Sequence, residues 1–340
     1  MPRLGRFRKL LVTAAVLGAG VVPVATAHAT PAPYSCRPAD VAVPIGAGRT
    51  TRVATWLCAD GDPTGRPVVV AVPGTTYTHQ YWDWDQDPAK YSFARRVAAA
   101  GYAVLLYDRT GTGASELPPL VDVTLDLHVE VLHQLVARVR AAGAPRVVTV
   151  GHSQGSLIVM AEAARAHDVD GVLVTGMLHG PMNPPGAAIV AGVFGYPAQL
   201  DPNFAAAPAG YTTTVPGTRG LAFYGPTADP AVIAHDEATK TVTAPLELGT
   251  ALPALASTLQ IHVPALSVVG QFDAAFCPPV TGCGSPLLPD PIDVEAAAWP
   301  ADAHVQTFVL PGSGHNVNLH TNNDAWFATA LAWLGRVAPA

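Results

Sequence analysis

The chain has 340 residues, 49% of them hydrophobic and 13% charged, with a formal net charge of −6 at pH 7. So much apolar material supports one large domain with a sizeable core. The acidic balance, with no basic cluster beyond the N-terminus, argues against nucleic acid and anionic membrane surfaces as partners. The 33 prolines and 31 glycines are spread along the chain without a low-complexity tract or a repeat.

Arg3, Arg6, Arg8 and Lys9 form a basic front, Leu10 to Val24 is apolar, and Ala27-His28-Ala29 is an Ala-x-Ala-like cleavage site. This order reads as a secretory signal peptide over residues 1–29. The apolar run is too short for a membrane span and is interrupted by Pro23. The mature protein is therefore expected to be secreted, extracellular or in the cell envelope, without a stable membrane anchor. All four cysteines follow the leader, an even number in an exported chain, so disulfides are expected. Of the three pairings that four cysteines allow, Cys36–Cys58 and Cys277–Cys283 are favoured. The first would tie two N-terminal strands together, and the second would close a short loop. No Cys-x-x-Cys and no histidine pair at ligand spacing accompanies them, so no metal site is expected.

Residues 36–59 predict a hairpin, Asp60 to Arg66 a turn, and residues 67–73 a buried strand. Tyr81-Trp82-Asp83-Trp84-Asp85 forms either an aromatic pocket wall or a hydrophobic staple onto the next helix. That helix is predicted from Pro88 to Ala100, with Asp87 as its cap, proline at its first position and Gly101 at its end. Residues 102–107 predict a strand. A long helix follows from Asp122 to Ala142, with Leu125, Val129, Leu132, Leu135, Val136 and Val139 on one face and Gly143 as its stop. Val147 to Val150 is a β-branched run, and Leu157 to Ala166 is periodic in the manner of a helix. Further strands are predicted at Gly171 to Leu178, at 263–270 and at 305–310, with a last helix from Asn322 or Asn323 to about Val337. Strands alternating with helices imply a mostly parallel sheet in an α/β fold. Residues 181–262 break this rhythm and are too long for a plain loop; short helical stretches such as Pro245 to Leu259 are expected within them.

Between the β-branched run and its helix stands Gly151-His152-Ser153-Gln154-Gly155. Gly-x-Ser-x-Gly between a strand and a helix sets a serine on a sharp turn at a helix N-terminus, where developing negative charge is favoured. Such a serine needs a base, and the base needs an orienting acid. Asp273 and His315 both stand just past the ends of predicted strands, on the edge where open α/β sheets bind ligands. Asp293 and Asp302 are weaker candidates for the acid, since neither follows so clear a strand end. His320 is a rival to His315 that reads better as a supporting or helix-capping residue. His152 is expected to pack beside the serine, and His133, within a long helix, to be structural. Asp108 and Arg109 read as a turn locked by local hydrogen bonds and ion pairing.

Four landmarks in this order resemble the α/β-hydrolase fold serine hydrolases over about residues 66–337, apart from a divergent middle. They are Val68-Val69-Val70-Ala71-Val72-Pro73-Gly74-Thr75, with Pro73 where many members carry His; Asp108-Arg109-Thr110-Gly111-Thr112-Gly113-Ala114-Ser115; the Gly-His-Ser-Gln-Gly turn; and Gly314-His315. The resemblance implies a hydrolase core over residues 30–180 and 263–340, with 181–262 as a cap over the site. It implies a catalytic Ser153, Asp273 and His315 and an oxyanion hole from the backbone N–H groups of Thr75 and Gln154. Pro73 has no N–H to donate. Thr76 and Tyr77 are candidates for extra hydroxyls, and Tyr77 and Trp82 for substrate contacts. Because the nucleophile is serine, the implied activity is acyl transfer to water from a small or apolar ester, through an acyl-enzyme, without metal or organic cofactor. A peptidase, an acyltransferase and a catalytically silent binding protein are the alternatives.

Overall fold

In the computed structural model, which describes residues 33–45, 48–251, 253–285 and 290–340, β1 (Tyr34–Pro44) and β2 (Thr50–Asp60) form an antiparallel hairpin. The leader assigned to residues 1–29 lies outside the described residues. Cys36 stands opposite Cys58 in the hairpin register, and a disulfide joins them. β3 (Val68–Val72), β4 (Ala103–Tyr107), β5 (Val147–His152) and β6 (Gly171–Thr175) follow. A small antiparallel pair, β7 (Tyr196–Pro197) and β8 (Thr212–Thr213), precedes β9 (Ala265–Gly270) and β10 (Gln306–Leu310). The main sheet has eight strands in the order β1-β2-β4-β3-β5-β6-β9-β10. Pairing is parallel from β4 to β10 and antiparallel at β1-β2 and β2-β4.

The central strands are continuous apolar runs because both sheet faces are covered. Val68, Val70 and Val72 of β3 join one core and Val69 and Ala71 the other, as the two-residue period of a strand requires. Helices α1 (Pro88–Tyr91) and α2 (Phe93–Ala99) come before β4, α3 (Leu125–Ala141) before β5 and α4 (Gln154–Ala166) after it. The first core takes Leu132, Leu135 and Val136 of α3 and Leu157 to Met160 of α4. The second takes Phe93 and Val97 of α2.

The predicted helix from 88 to 100 is two helices, divided at Ser92, whose backbone is extended. The Ser92 hydroxyl donates to Asp83 at 2.6 Å and accepts the Arg95 N–H, so it caps the second helix and interrupts the first. Asp87 makes no side-chain cap bond. α3 opens three residues later than its apolar period suggests, because the Thr124 hydroxyl accepts the Leu127 N–H there. β6 ends at Thr175 rather than Leu178, since Gly176 turns the chain at φ 61°.

Between β6 and β9 the chain forms α5 (Pro184–Val193), α6 (Arg219–Phe223), α7 (Pro230–Thr239), α8 (Pro245–Gly249) and α9 (Ala254–Ser257). The last two replace the single helical stretch expected from Pro245 to Leu259. α10 (Pro291–Glu295) precedes β10, and α11 (Asp324–Val337) closes the chain and packs Trp326, Phe327 and Trp333 into the second core. Among the described residues no helix is long and apolar enough to cross a membrane.

Candidate active site

Ser153 links β5 to α4 at φ 54° and ψ −119°, a conformation that a side chain makes costly. The Ser153 N–H donates to the Thr175 carbonyl at 2.8 Å, which holds the turn against β6. The flanking glycines are steric necessities. A Cβ on Gly151 would strike the Gly155 carbonyl, and one on Gly155 would strike the carbonyls of Val72 and Pro73.

Asp273 and His315 lie three and five residues beyond the last residues of β9 and β10. His315 Nδ1 is 2.8 Å from Asp273 Oδ2. Asp273 is fully buried, and its other oxygen accepts the Ala275 N–H at 3.0 Å, so the carboxylate is fixed from both ends. A disulfide joins Cys277 to Cys283 directly after it. The other acids stand apart. Asp302 pairs with the exposed His262, and Asp293 is exposed in the first turn of α10.

His320 braces the histidine loop. Its Nε2 accepts the N–H groups of Gly314 at 2.9 Å and Gly225 at 3.0 Å, while Nδ1 faces the Asn316 carbonyl at 2.9 Å. Burial pushes its pKa down to about 4, in keeping with a neutral ring that accepts at one nitrogen. His152 stacks on Tyr81 with ring centroids 4.1 Å apart and hydrogen-bonds Thr175 and Asn316. Burial, and then the nearby His315, hold its pKa well below the usual histidine range.

The loop after β3 lies against the elbow: a Cβ on Gly74 would come within 3.1 Å of Ser153 Cβ. The Thr75 hydroxyl donates to Gln154 Oε1 at 2.5 Å. Among the described residues neither the Thr75 nor the Gln154 backbone N–H has a protein acceptor. The Gly74 carbonyl, on the same peptide as the Thr75 N–H, accepts from Arg109 Nη2 at 3.1 Å and from the Tyr77 N–H at 3.2 Å. Arg109 is itself paired with Glu247 at 2.5 Å, and Glu247 also meets His128 and the Thr243 hydroxyl. Although burial alone would raise it, Arg109 and His128 hold the Glu247 carboxyl down at about 2. Asp108 is locked locally by the Ala114 N–H and by His79. Arg109 departs from the local pairing read in the sequence, since its partner stands 138 residues away.

Thr76 has φ 62° and is fully buried. Arg219 donates to its hydroxyl at 2.9 Å and forms a two-pronged pair with Asp236 at 2.9 Å on each prong. Tyr77 is not at the cavity. Its hydroxyl donates to Asp236 and accepts from Asn316, and Arg219 stacks on its ring. Trp82 is also away from the cavity, buried against Tyr81 and Phe93. The structure therefore places both candidate substrate contacts in the packing around the site, and the staple reading of the aromatic run holds for Trp82.

Ser153, His315, Thr75 and Gln154 share one cavity of about 440 Å³. Its walls are almost wholly apolar, with Met177, Ile189, Phe194, Phe223, Leu255 and Phe276 prominent, and no Asp, Glu, Lys or Arg contributes to them among the described residues. Several of these side chains come from the segment between β6 and β9. His179 also reaches the cavity, and its Nδ1 faces the buried Glu295 at 3.1 Å. No sequence pattern flagged His179 as a lining residue, or Arg219, Asp236 and Glu247 as supports of the loop after β3.

A sequence profile of the alpha/beta hydrolase family matches residues 69–330. The chain belongs to the α/β hydrolase family. Solved structures share the fold at low identity. A thermophilic esterase from Thermogutta terrifontis, determined with malate bound, superposes with a TM-score of 0.59 at 18% identity, over 89% of this chain and 99% of that one. A bromoperoxidase from Bacillus anthracis gives a TM-score of 0.57 at 17% identity, over 87% of this chain and 99% of that one. A thioesterase domain from the curacin biosynthetic pathway gives 0.54 at 16% identity, over 87% and 99%. No curated protein matches the chain significantly in sequence.

Proposed function

We propose that this protein is a serine hydrolase that cleaves an uncharged carboxylic ester with an apolar acyl group. The observation that carries the reading is the 2.8 Å contact of His315 with the buried Asp273, with His315 and Ser153 both lining one apolar cavity. His315 takes the Ser153 proton as the hydroxyl attacks the ester carbonyl. Asp273 holds the ring with Nδ1 protonated and stabilises the imidazolium. The tetrahedral oxyanion is met by the Thr75 and Gln154 N–H groups, which have no competing acceptor among the described residues. His315 then protonates the leaving alcohol, and water repeats the sequence on the acyl-enzyme.

Walls without formal charge favour an uncharged substrate, because a buried ion would have no counter-charge. Residues 181–262 serve as the cap that closes over this cavity. Two disulfides support a working place in an oxidising compartment outside the cytoplasm.

Fluorophosphonate labelling of purified protein tests this reading, with p-nitrophenyl esters of increasing acyl length run in parallel. Labelling is expected in the wild type and absent in Ser153→Ala. Ester turnover is expected to fall by about 10⁴-fold or more in Ser153→Ala and His315→Ala. Absence of both labelling and turnover in the wild type would overturn it.

A further inference from the structure

His133 on α3, Glu162 on α4 and Asp168 just beyond α4 bring three ligand-type side chains together. His133 Nδ1 is 3.0 Å from Asp168 Oδ2 and 3.5 Å from Glu162 Oε1. All three ligand atoms lie within 4.8 Å of one another. Glu162 is fully buried, and among the described residues neither of its carboxylate oxygens, nor Asp168 Oδ1, accepts a hydrogen bond. A buried carboxylate in that condition is costly unless a cation or a proton joins it.

The nearby arginines are committed elsewhere. Arg165 donates to Asp126 at 2.6 Å, and Arg140 binds Asp170 and the Asp168 carbonyl. The spacing fits a shared ion. Donor atoms about 2.1 Å from one metal at tetrahedral or octahedral angles stand about 3.0–3.4 Å apart, close to the two histidine distances here. The His133 and Asp168 side chains are partly exposed, at 42% and 27%, so the centre opens to solvent and leaves room for a water ligand.

We propose that His133, Glu162 and Asp168 bind one divalent transition-metal ion. One imidazole with two carboxylates suits Zn²⁺ best among the common candidates. The ion clamps α3 to α4, the helix that Ser153 opens, and so acts on the firmness of the elbow rather than on substrate. The site was invisible to ligand spacing, because His133 stands 29 residues before Glu162 in the chain.

The test uses the full mature protein, stripped with EDTA and titrated with ZnCl2. Bound zinc is counted by mass spectrometry, thermal midpoints are recorded, and Co²⁺ is substituted to read its visible absorption. About one zinc per chain is expected, with the midpoint raised by about 5 °C at a hundredfold excess over Kd. Glu162→Gln should lose both effects. His133→Asn, at a partly exposed position that leaves the core untouched, should lose them as well. Absence of zinc binding and of any midpoint shift in the wild type would overturn the proposal in favour of a proton shared by Glu162 and Asp168. Equal zinc binding in His133→Asn would overturn it too, by placing the ion elsewhere, for instance at the exposed His262–Asp302 pair.

Discussion

Arg109 acts on the site through one peptide group. It donates to the Gly74 carbonyl at 3.1 Å, and the N–H at the other end of that peptide is Thr75, the proposed oxyanion donor. A donor on the carbonyl fixes the peptide plane and polarises the opposite N–H. The guanidinium is held in turn by Glu247, from the segment between β6 and β9. Glu247→Gln is therefore expected to lower kcat by about 10-fold or more with little change in KM, as for weakening of an oxyanion contact. Removing one partner of a buried pair also destabilises the fold by about 3–5 kcal/mol. The double variant Arg109→Met/Glu247→Met separates the two effects. Urea denaturation should show much of the stability restored by apolar packing, while kcat stays low. Recovery of kcat alongside stability would show that the pair supports the fold alone. Arg109 was legible as part of a turn motif, but its partner was not, because 138 residues separate them and no local period connects such positions.

At the scale of elements, the two disulfides have different duties. Cys36–Cys58 spans 22 residues but joins strands already paired along their length, whereas Cys277–Cys283 spans 6 and follows Asp273 directly. Loop-closure entropy assigns about 3 kcal/mol to the first and about 2 kcal/mol to the second. Replacing each pair by serines should therefore cost more stability at Cys36–Cys58. The kcat loss should fall on Cys277–Cys283, since its loop follows Asp273, the proposed orienter of His315, whose carboxylate lies 2.8 Å from the His315 ring. A kcat loss of equal size in both variants would show that the acid loop keeps its shape unaided.

The elements that sequence made legible are those with unbroken local patterns. The valine runs of β3 and β5 and the glycines around Ser153 state their conformation within a few residues. Ser92 shows where that stops. Apolar periodicity runs across it, while Asp83, nine residues earlier, holds its hydroxyl and divides the helix. Trp82 shows the same limit in the site. An aromatic residue after the loop suits a pocket wall or a core equally, and only the arrival of Phe93 beside it decides for the core.

For the whole molecule, acid sensitivity follows from histidines buried in neutral form. His320 has its pKa lowered to about 4, and His128 and His152 are lowered as well, chiefly by desolvation, from an ordinary value of 6.5. The facing groups partly oppose this: Glu247 raises His128 while Arg109 lowers it, and Asn316 raises His152 while His315 and Arg219 lower it. Each ring has a folded pKa below its unfolded one, so the unfolded chain binds protons that the folded chain does not. Their contribution is complete above pH 6.5 and is lost as pH falls towards the folded values, at up to about 1.4 kcal/mol per pH unit for each. Glu247, at about 2 in the fold against an ordinary 4.5, adds a further loss below pH 4.5. Glu162, raised to about 9 chiefly by burial, works the other way down to pH 4.5 and offsets one of the three histidines, so the unfolding free energy is expected to fall between pH 6.5 and 4 by less than three protons' worth. His320→Gln keeps an acceptor for the Gly225 and Gly314 N–H groups but removes one titration. It should flatten that slope by about one proton's worth. An unchanged slope would mean that His320 is not held neutral, and that its hold on the histidine loop does not depend on an unprotonated ring.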